Sequence, residues 1–276
     1  MALSVNTNYA SLTAQNNLQA SQTRLTTSLE RLSTGLKINS ASDDPAGLVT
    51  ASLQASQISG LATAIQNIQT GTSLAKTADS SLKNINDLLV QIRTLAANSA
   101  NTATQSTASL AANSASATAL LGSIDNIANT TKFGTVALLD GTFTAQQFQT
   151  GAFSGQTASL TIAKADSTTL AVNAIDLTTN TGANAALTAI DAAISTIATA
   201  RGNIGSFISG TLVATATNNQ SQLTNLQQAQ SVLTDTNYQT EIANYTSENI
   251  RQQAASTVLG FANQSNQSII SLLRGQ

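Results

Sequence analysis

Residues 58–98 read ISGLATAIQNIQTGTSLAKTADSSLKNINDLLVQIRTLAAN. Ile58, Leu61, Ile65 and Ile68 step by three, four and three, and Leu82, Ile85, Leu89, Ile92 and Ala96 resume the same rhythm. That spacing lines apolar side chains along one face of a helix, with heptad character. Nothing within the stretch breaks it, because the single proline, Pro45, lies just ahead. One helix is expected from Ala46 to Asn98, roughly 80 Å long at about 1.5 Å per residue, far beyond the usual globular length. Its start is marked by Ser42-Asp43-Asp44-Pro45-Ala46-Gly47. Asp44 suits the N-cap, Pro45 suits the first helical position, and the carboxylates complement the helix dipole. Gly35 and Gly47 bracket a non-helical link from a shorter first helix.

Working outward, Leu18, Leu25, Leu29, Leu32 and Leu36 give that first helix a stripe. Another helix is expected from Thr104 to Asn129, through Leu110, Ala117, Leu121, Ile124 and Ala128. A long one follows from Ala183 to Leu233, through Leu187, Ile190, Ile194, Ile197, Ile204 and Ile208, with Arg201 at the vacant stripe position. The last covers Tyr238 to Leu273, with Ala255, Leu259, Ala262, Ile269 and Leu273. Between Gly141 and Gly182 the period changes to two. Leu160, Ile162 and Lys164 precede Ala165-Asp166-Ser167, and Leu170, Val172 and Ala174 follow, which predicts a β-hairpin or a small sheet flap. The expected fold class is mainly α: a long antiparallel helical bundle or coiled coil, with paired N- and C-terminal helices and a small β-hairpin region in the middle.

Composition narrows the function. Only 9% of the residues are charged and 3% aromatic, and the formal net charge is −2. Scattered charges of both signs offer no basic patch for nucleic acid. With no His and no Cys, the usual transition-metal ligands and the Ser-His-Asp and Cys-His nucleophile systems are missing. No phosphate-binding glycine loop is present. No catalytic, cofactor-binding or metal-binding residue is expected, and no enzyme activity. No run of apolar residues is long enough for a membrane span. The first residues carry no charged region followed by an apolar one, so secretion would need a route other than a Sec signal. Few large apolar side chains favour thin helix-on-helix packing over a thick core.

Leu32-Ser33-Thr34-Gly35-Leu36-Lys37-Ile38-Asn39-Ser40-Ala41-Ser42-Asp43-Asp44-Pro45-Ala46-Gly47 closely resembles the N-terminal motif of bacterial flagellins. Val232-Leu233-Thr234-Asp235-Thr236-Asn237-Tyr238-Gln239-Thr240-Glu241-Ile242 and Gln252-Gln253-Ala254-Ala255-Ser256-Thr257-Val258-Leu259 resemble the second signature of that family, as do Ala262-Asn263-Gln264 and Ile270-Ser271-Leu272-Leu273. The resemblance covers 1–140 and 183–276. It implies inner-core paired terminal helices over 1–40 and 236–276, an outer-core helical domain over 41–140 and 183–235, and a β-hairpin region over 141–182, with no large outer domain. It further implies a secreted structural subunit that polymerises with copies of itself into a flagellar filament. Its other partners are hook-junction and filament-cap proteins and an export chaperone. A hook-filament junction protein of the same family is the alternative. Termini that bury little alone would be buried by neighbouring copies, and a head-to-tail interface that does not close gives an open helical polymer.

The residues taken as contacts between copies are Leu32, Leu36, Asn39, Ser40, Asp43 and Asp44 in the first motif, Arg93 and Leu95 in the long helix, and Asp235, Tyr238, Glu241, Leu259, Leu272 and Leu273 in the second. Asp43 and Asp44 could instead be a catalytic carboxylate pair, but no general-base partner accompanies them. Asp235 and Glu241 read the same way, with a cation site as the alternative. Val90-Gln91-Ile92-Arg93-Thr94-Leu95-Ala96 resembles the flagellin patch seen by the animal flagellin-sensing Toll-like receptor. Arg93, Leu95 and Ala96 fit the pattern, while Gln91 stands for an Arg and Thr94 for a Glu. Weak receptor recognition is expected, because lost charge pairs cost affinity.

Overall fold

The computed structural model describes residues 7–101 and 103–274, and side chains as far as residue 264. In chain order it contains α1 (Tyr9–Thr34), α2 (Pro45–Ser99), α3 (Thr107–Thr130), β1 (Lys132–Phe133), β2 (Val136–Ala137), β3 (Gln146–Gln149), β4 (Thr157–Leu160), α4 (Asn180–Ser206), a π-helical segment (Phe207–Val213), α5 (Ala214–Thr234) and α6 (Tyr238–Arg274). Contacts divide the chain into two units, Gln57–Thr224 on the one hand, and Met1–Ser56 with Asn225–Gln276 on the other.

The 57–224 unit holds one continuous apolar core. Leu82, Ile85, Leu89, Ile92 and Ala96 of α2 are fully buried, as their three-four spacing requires. Ala117, Leu121, Ile124 and Ala128 of α3 join them, behind a capping box in which Ser106 and Ser109 satisfy each other's backbone N–H. Ala183, Ala186, Ile190, Ala193, Ile197 and Ile204 of α4 complete the helical part. Arg93 donates to Asp191 at 2.6 Å and Arg201 to Asp79 at 2.8 Å, which sets α4 antiparallel to α2. Arg201 thus fills its vacant stripe position with an ion pair.

Two small antiparallel hairpins cover this core, β1 with β2 and β3 with β4. The second lies across α2 where two glycines make room. A Cβ at Gly60 would come 2.9 Å from that of Ala152, and one at Gly71 would come 2.9 Å from the Phe148 ring. The hairpin expected from Leu160-Ile162-Lys164 and Leu170-Val172-Ala174 does not form; β4 pairs instead with the earlier β3, Leu160 opposite Gln146. Leu160, Ile162, Leu170 and Val172 are buried, so the period of two is real. Beyond β4, however, the backbone is satisfied by turns and loops. The Ile162 N–H donates to the Phe143 carbonyl, the Ala165 N–H to that of Leu139, and the Val172 N–H to that of Ser167. Asp125 holds this strap from α3, accepting from the Ser167 N–H at 2.7 Å and its hydroxyl at 2.9 Å.

From α4 through α5 the helix is continuous, Asn180–Thr234. Its buried residues Ile190, Ile197 and Ile204 recur every seven positions, and so do Leu212 and Asn219, but the step from Ile204 to Leu212 is eight. The π-helical segment absorbs the extra residue, so Phe207 and Leu212, five apart, both face inward. Ile208, as expected, packs against the core while partly buried, and Phe207 and Leu212 on either side of it are the buried residues. This is the only described helix apolar enough to cross a membrane by length and composition, with an 18-residue stretch of mean hydropathy 1.2. Ile190 and Ile197 within it are buried in the core.

Candidate functional site

The other unit is built differently. Asn8 caps α1 by accepting the Ser11 N–H, and α1 ends at Gly35 in the left-handed region, φ 75°. The side of α1 that faces α6 carries Ala14, Leu18, Ser21, Leu25, Ser28 and Leu32, spaced four, three, four, three and four. Leu29 lies one position off this seam and Leu36 lies past the helix end, so both are exposed rather than part of the expected stripe. On α6 the seam is Glu241, Tyr245, Glu248, Gln252, Ala255, Leu259 and Ala262, with the same alternation. Both sets follow the heptad, but every second position on α1 is small and two positions on α6 are acidic.

Polar contacts fix the two helices antiparallel. The Asn8 side-chain amide donates to the Ala262 carbonyl at 2.8 Å, and Tyr238 Oη donates to the Leu32 carbonyl at 3.2 Å. Glu248 is buried, with Oε2 accepting from Ser21 Oγ at 3.3 Å and lying 3.7 Å from Arg24, and Oε1 accepting from Arg251 at 3.0 Å. Glu241 is also buried, 3.9 Å from Arg31. At the junction an isolated bridge joins Leu36 and Asp235, with Lys37 N–H donating to the Thr234 carbonyl and Thr236 N–H to that of Gly35.

The link from α1 to α2 folds around two aspartates. Asp43 accepts from the Ser40 N–H at 2.8 Å, the Asn39 N–H at 3.1 Å and the Ser40 hydroxyl. These donors, the Ser40 backbone first, hold its carboxyl below the usual aspartate range. Asp44 caps α2 through the Gly47 N–H at 2.9 Å. The hydrogen bonds accepted by Asp43 Oδ2 and Asp44 Oδ1 all come from neighbouring residues of the link and the first turn of α2. Among the described residues no group of His, Cys, Asp or Glu could hold a metal ion. A cleft of about 450 Å³ beside Ile162, Ser195, Thr199 and Asn203 carries no titratable side chain.

The outer side of α6 exposes large apolar side chains, while that of α1 is mostly polar, with Gln15, Asn16, Gln19, Gln22, Thr23, Thr26 and Glu30. Ile242, Ile250, Val258 and Phe261 on α6 are 53%, 62%, 56% and 67% exposed. With Thr246 and Ala254 they form a row facing away from the seam, stepping by four from Ile242 to Val258 and by three to Phe261. The Thr246 hydroxyl donates back to the Ile242 carbonyl at 2.8 Å, which leaves its methyl outward. Of seventeen large apolar side chains exposed among the described residues, thirteen belong to this unit, including Leu12, Leu48, Val49, Leu53 and Val232. The spacing on α6 was legible in the sequence, but it was the more polar seam that had to be found first.

Leu32, Leu36, Asn39, Ser40, Asp43, Asp44, Asp235, Tyr238 and Glu241 thus gather around one junction. Leu259 is a half-buried seam residue. Leu272 and Leu273 lie outside the described side chains. Arg93 and Leu95 stand apart in the 57–224 unit, Arg93 on Asp191 and Leu95 packed on the core.

Residues 5–144 match the family model of the bacterial flagellin N-terminal helical region, and residues 187–273 match that of the bacterial flagellin C-terminal helical region. The chain belongs to the bacterial flagellin family. It is 34% identical to a flagellin of Halalkalibacterium halodurans over 98% of this chain and 99% of that one. It is 32% identical to a flagellin of Bacillus subtilis, again over 98% and 99%. The crystal structure of Bacillus cereus flagellin superposes with a TM-score of 0.50 at 29% identity, covering 60% of this chain and 94% of that one.

Proposed function

We propose that this chain is the structural subunit of a bacterial flagellar filament, the extracellular propeller of a swimming cell. One observation carries the reading within the structure: an antiparallel pair whose seam is rich in small and polar residues while α6 leaves Ile242, Ile250, Val258 and Phe261 exposed. Such a pair buries little by itself, and further copies must cover the faces it leaves in water. Full-length similarity to flagellins supports the same conclusion.

In this reading residues 1–40 and 236–276 serve as the inner core, 41–140 and 183–235 as the outer core, and 141–182 as its β-hairpin cover. Contacts between copies centre on the junction residues from Leu32 to Asp44 and from Asp235 to Glu241, together with Leu259, Leu272 and Leu273. Arg93 and Leu95 contribute from the outer core. The subunit is secreted by the flagellar export route with a chaperone, and it meets hook-junction and cap proteins at the filament ends. Recognition by the animal flagellin receptor is weak, because Arg93 is already engaged by Asp191 and two neighbouring charges of the family pattern are missing.

The test is seeded polymerisation followed by electron microscopy. Long, thin, smooth tubes growing from soluble protein are expected. Protein that stays dispersed, or that only caps the seeds, overturns the reading.

A further inference from the structure

The helix Asn180–Thr234 has one residue too many for its own repeat. Ile190, Ile197 and Ile204 keep a spacing of seven; an unbroken repeat would continue at Thr211 and Asn218, yet the buried residues are Leu212 and Asn219. The π-helical segment Phe207–Val213 holds that offset. Three glycines, Gly202, Gly205 and Gly210, sit in or beside it, and a Cβ on any of them would meet nothing within 4 Å. Packing does not demand them, and each one weakens the helix. On the other side of the offset, Asn219 is buried and donates to the Thr150 carbonyl at 2.7 Å. Thr150 is itself tied to Gln156 across the end of the β3–β4 hairpin. Asn218, next in line, is exposed. Beside this part of α5 runs a groove of about 430 Å³ lined by Ile65 and Gln69 of α2 and by Ala216, Thr217 and Gln220.

We propose that this helix is a winding switch with two registers one residue apart. In the observed register the π winding places Leu212 in the core and Asn219 on Thr150. In the second, the segment winds as α-helix, α5 turns by about 100°, Thr211 replaces Leu212, and Asn218 takes over the hydrogen bond to Thr150. The tandem asparagines supply the same donor in both registers, so the latch on the hairpin is exchanged rather than lost. The unneeded glycines keep the segment soft, and the groove gives the rotating side chains space. Leu212 in the core favours the observed register, while the better hydrogen-bond geometry of the α-helix favours the other. Such a balance is what makes an element two-state rather than merely bulged.

The test uses the full-length, unpolymerised chain, so its outcome is separate from that of the filament reading. Exchanging the competing core residues, Thr211→Leu with Leu212→Thr, should lock the second register. In the native background Asn219→Ala should lower the melting temperature and Asn218→Ala should not; in the exchanged background the two should trade places. Asn219 remaining the required asparagine in both backgrounds, or an exchanged chain that does not fold, overturns the proposal. Amide hydrogen exchange provides the second measurement. Positions 207–213 should exchange about tenfold faster than the turns on either side, and Asn218→Ala should slow them towards those turns. Equal exchange, or no response to Asn218→Ala, also overturns it.

Discussion

Glu241 and Glu248 occupy seam positions where a coiled coil ordinarily places leucine, opposite serines rather than bulky partners. Arg24, Arg31 and Arg251 neutralise them, but charges removed from water add little net stability even when paired. Asp166 is the clearest titrating residue. Burial pushes its carboxyl up, and the Lys164 ammonium at 2.7 Å with the Thr169 donor more than offsets this, bringing it from 3.8 to about 2. A carboxyl held below its unfolded value stabilises the fold above that value, and the contribution fades as pH falls from about 4 through about 2. Thermal melts of the native chain and Asp166→Asn should differ at pH 6 and converge near pH 2. At the start of α2, Asp44→Ala should lower stability by about 1 kcal/mol, measured by denaturant unfolding. Asp44 was legible in the sequence, because a cap and the proline after it are local features. The role of Asp166 was not, since its partners meet only once the strap is folded.

Among the elements, long helices were readable wherever large apolar residues carried the heptad, as in α2, α3 and α4. The α1–α6 seam was harder to read, because Ala14, Ser21, Ser28, Glu241 and Glu248 do not register in a search for apolar periodicity. Leu18, Leu25 and Leu32 of the expected stripe lie on the seam, and only Leu29 and Leu36 fall outside it. The strap after β4 misled for the opposite reason: alternate burial is shared by strands and by loops pinned to a core. The eight-residue step at Ile204–Leu212 was present in the sequence but was concealed by Ile208, which fits a regular stripe. The hairpin packs closely on α2 where Gly71 admits Phe148. Gly71→Val should cost roughly 1–3 kcal/mol through overpacking and raise proteolysis between 144 and 160. An unchanged melting temperature would show that the hairpin can lift from α2 without loss.

At the scale of the whole molecule, a unit with a continuous apolar core is joined to one that leaves many large apolar side chains exposed. Ile250→Ser with Phe261→Ser should raise the critical concentration for polymerisation by about tenfold or more, given about 1.5–3 kcal/mol for each buried large side chain. The melting of the 57–224 unit should not change. Assembly at the native concentration would place the contact face elsewhere. Hydroxyls folded back onto their own helices, as in Thr23, Thr27, Thr217, Thr246 and Thr257, carry a consequence for solubility. A residue-by-residue scale scores each as polar and gives the chain a mean hydropathy of +0.03. Each of these hydroxyl hydrogens is already engaged by the helix rather than by solvent, and few charges are present to compensate. The protein is therefore closer to its precipitation limit than its composition suggests, and sulfate, which is excluded from such surfaces, should drive it out of solution far more effectively than chloride at equal ionic strength.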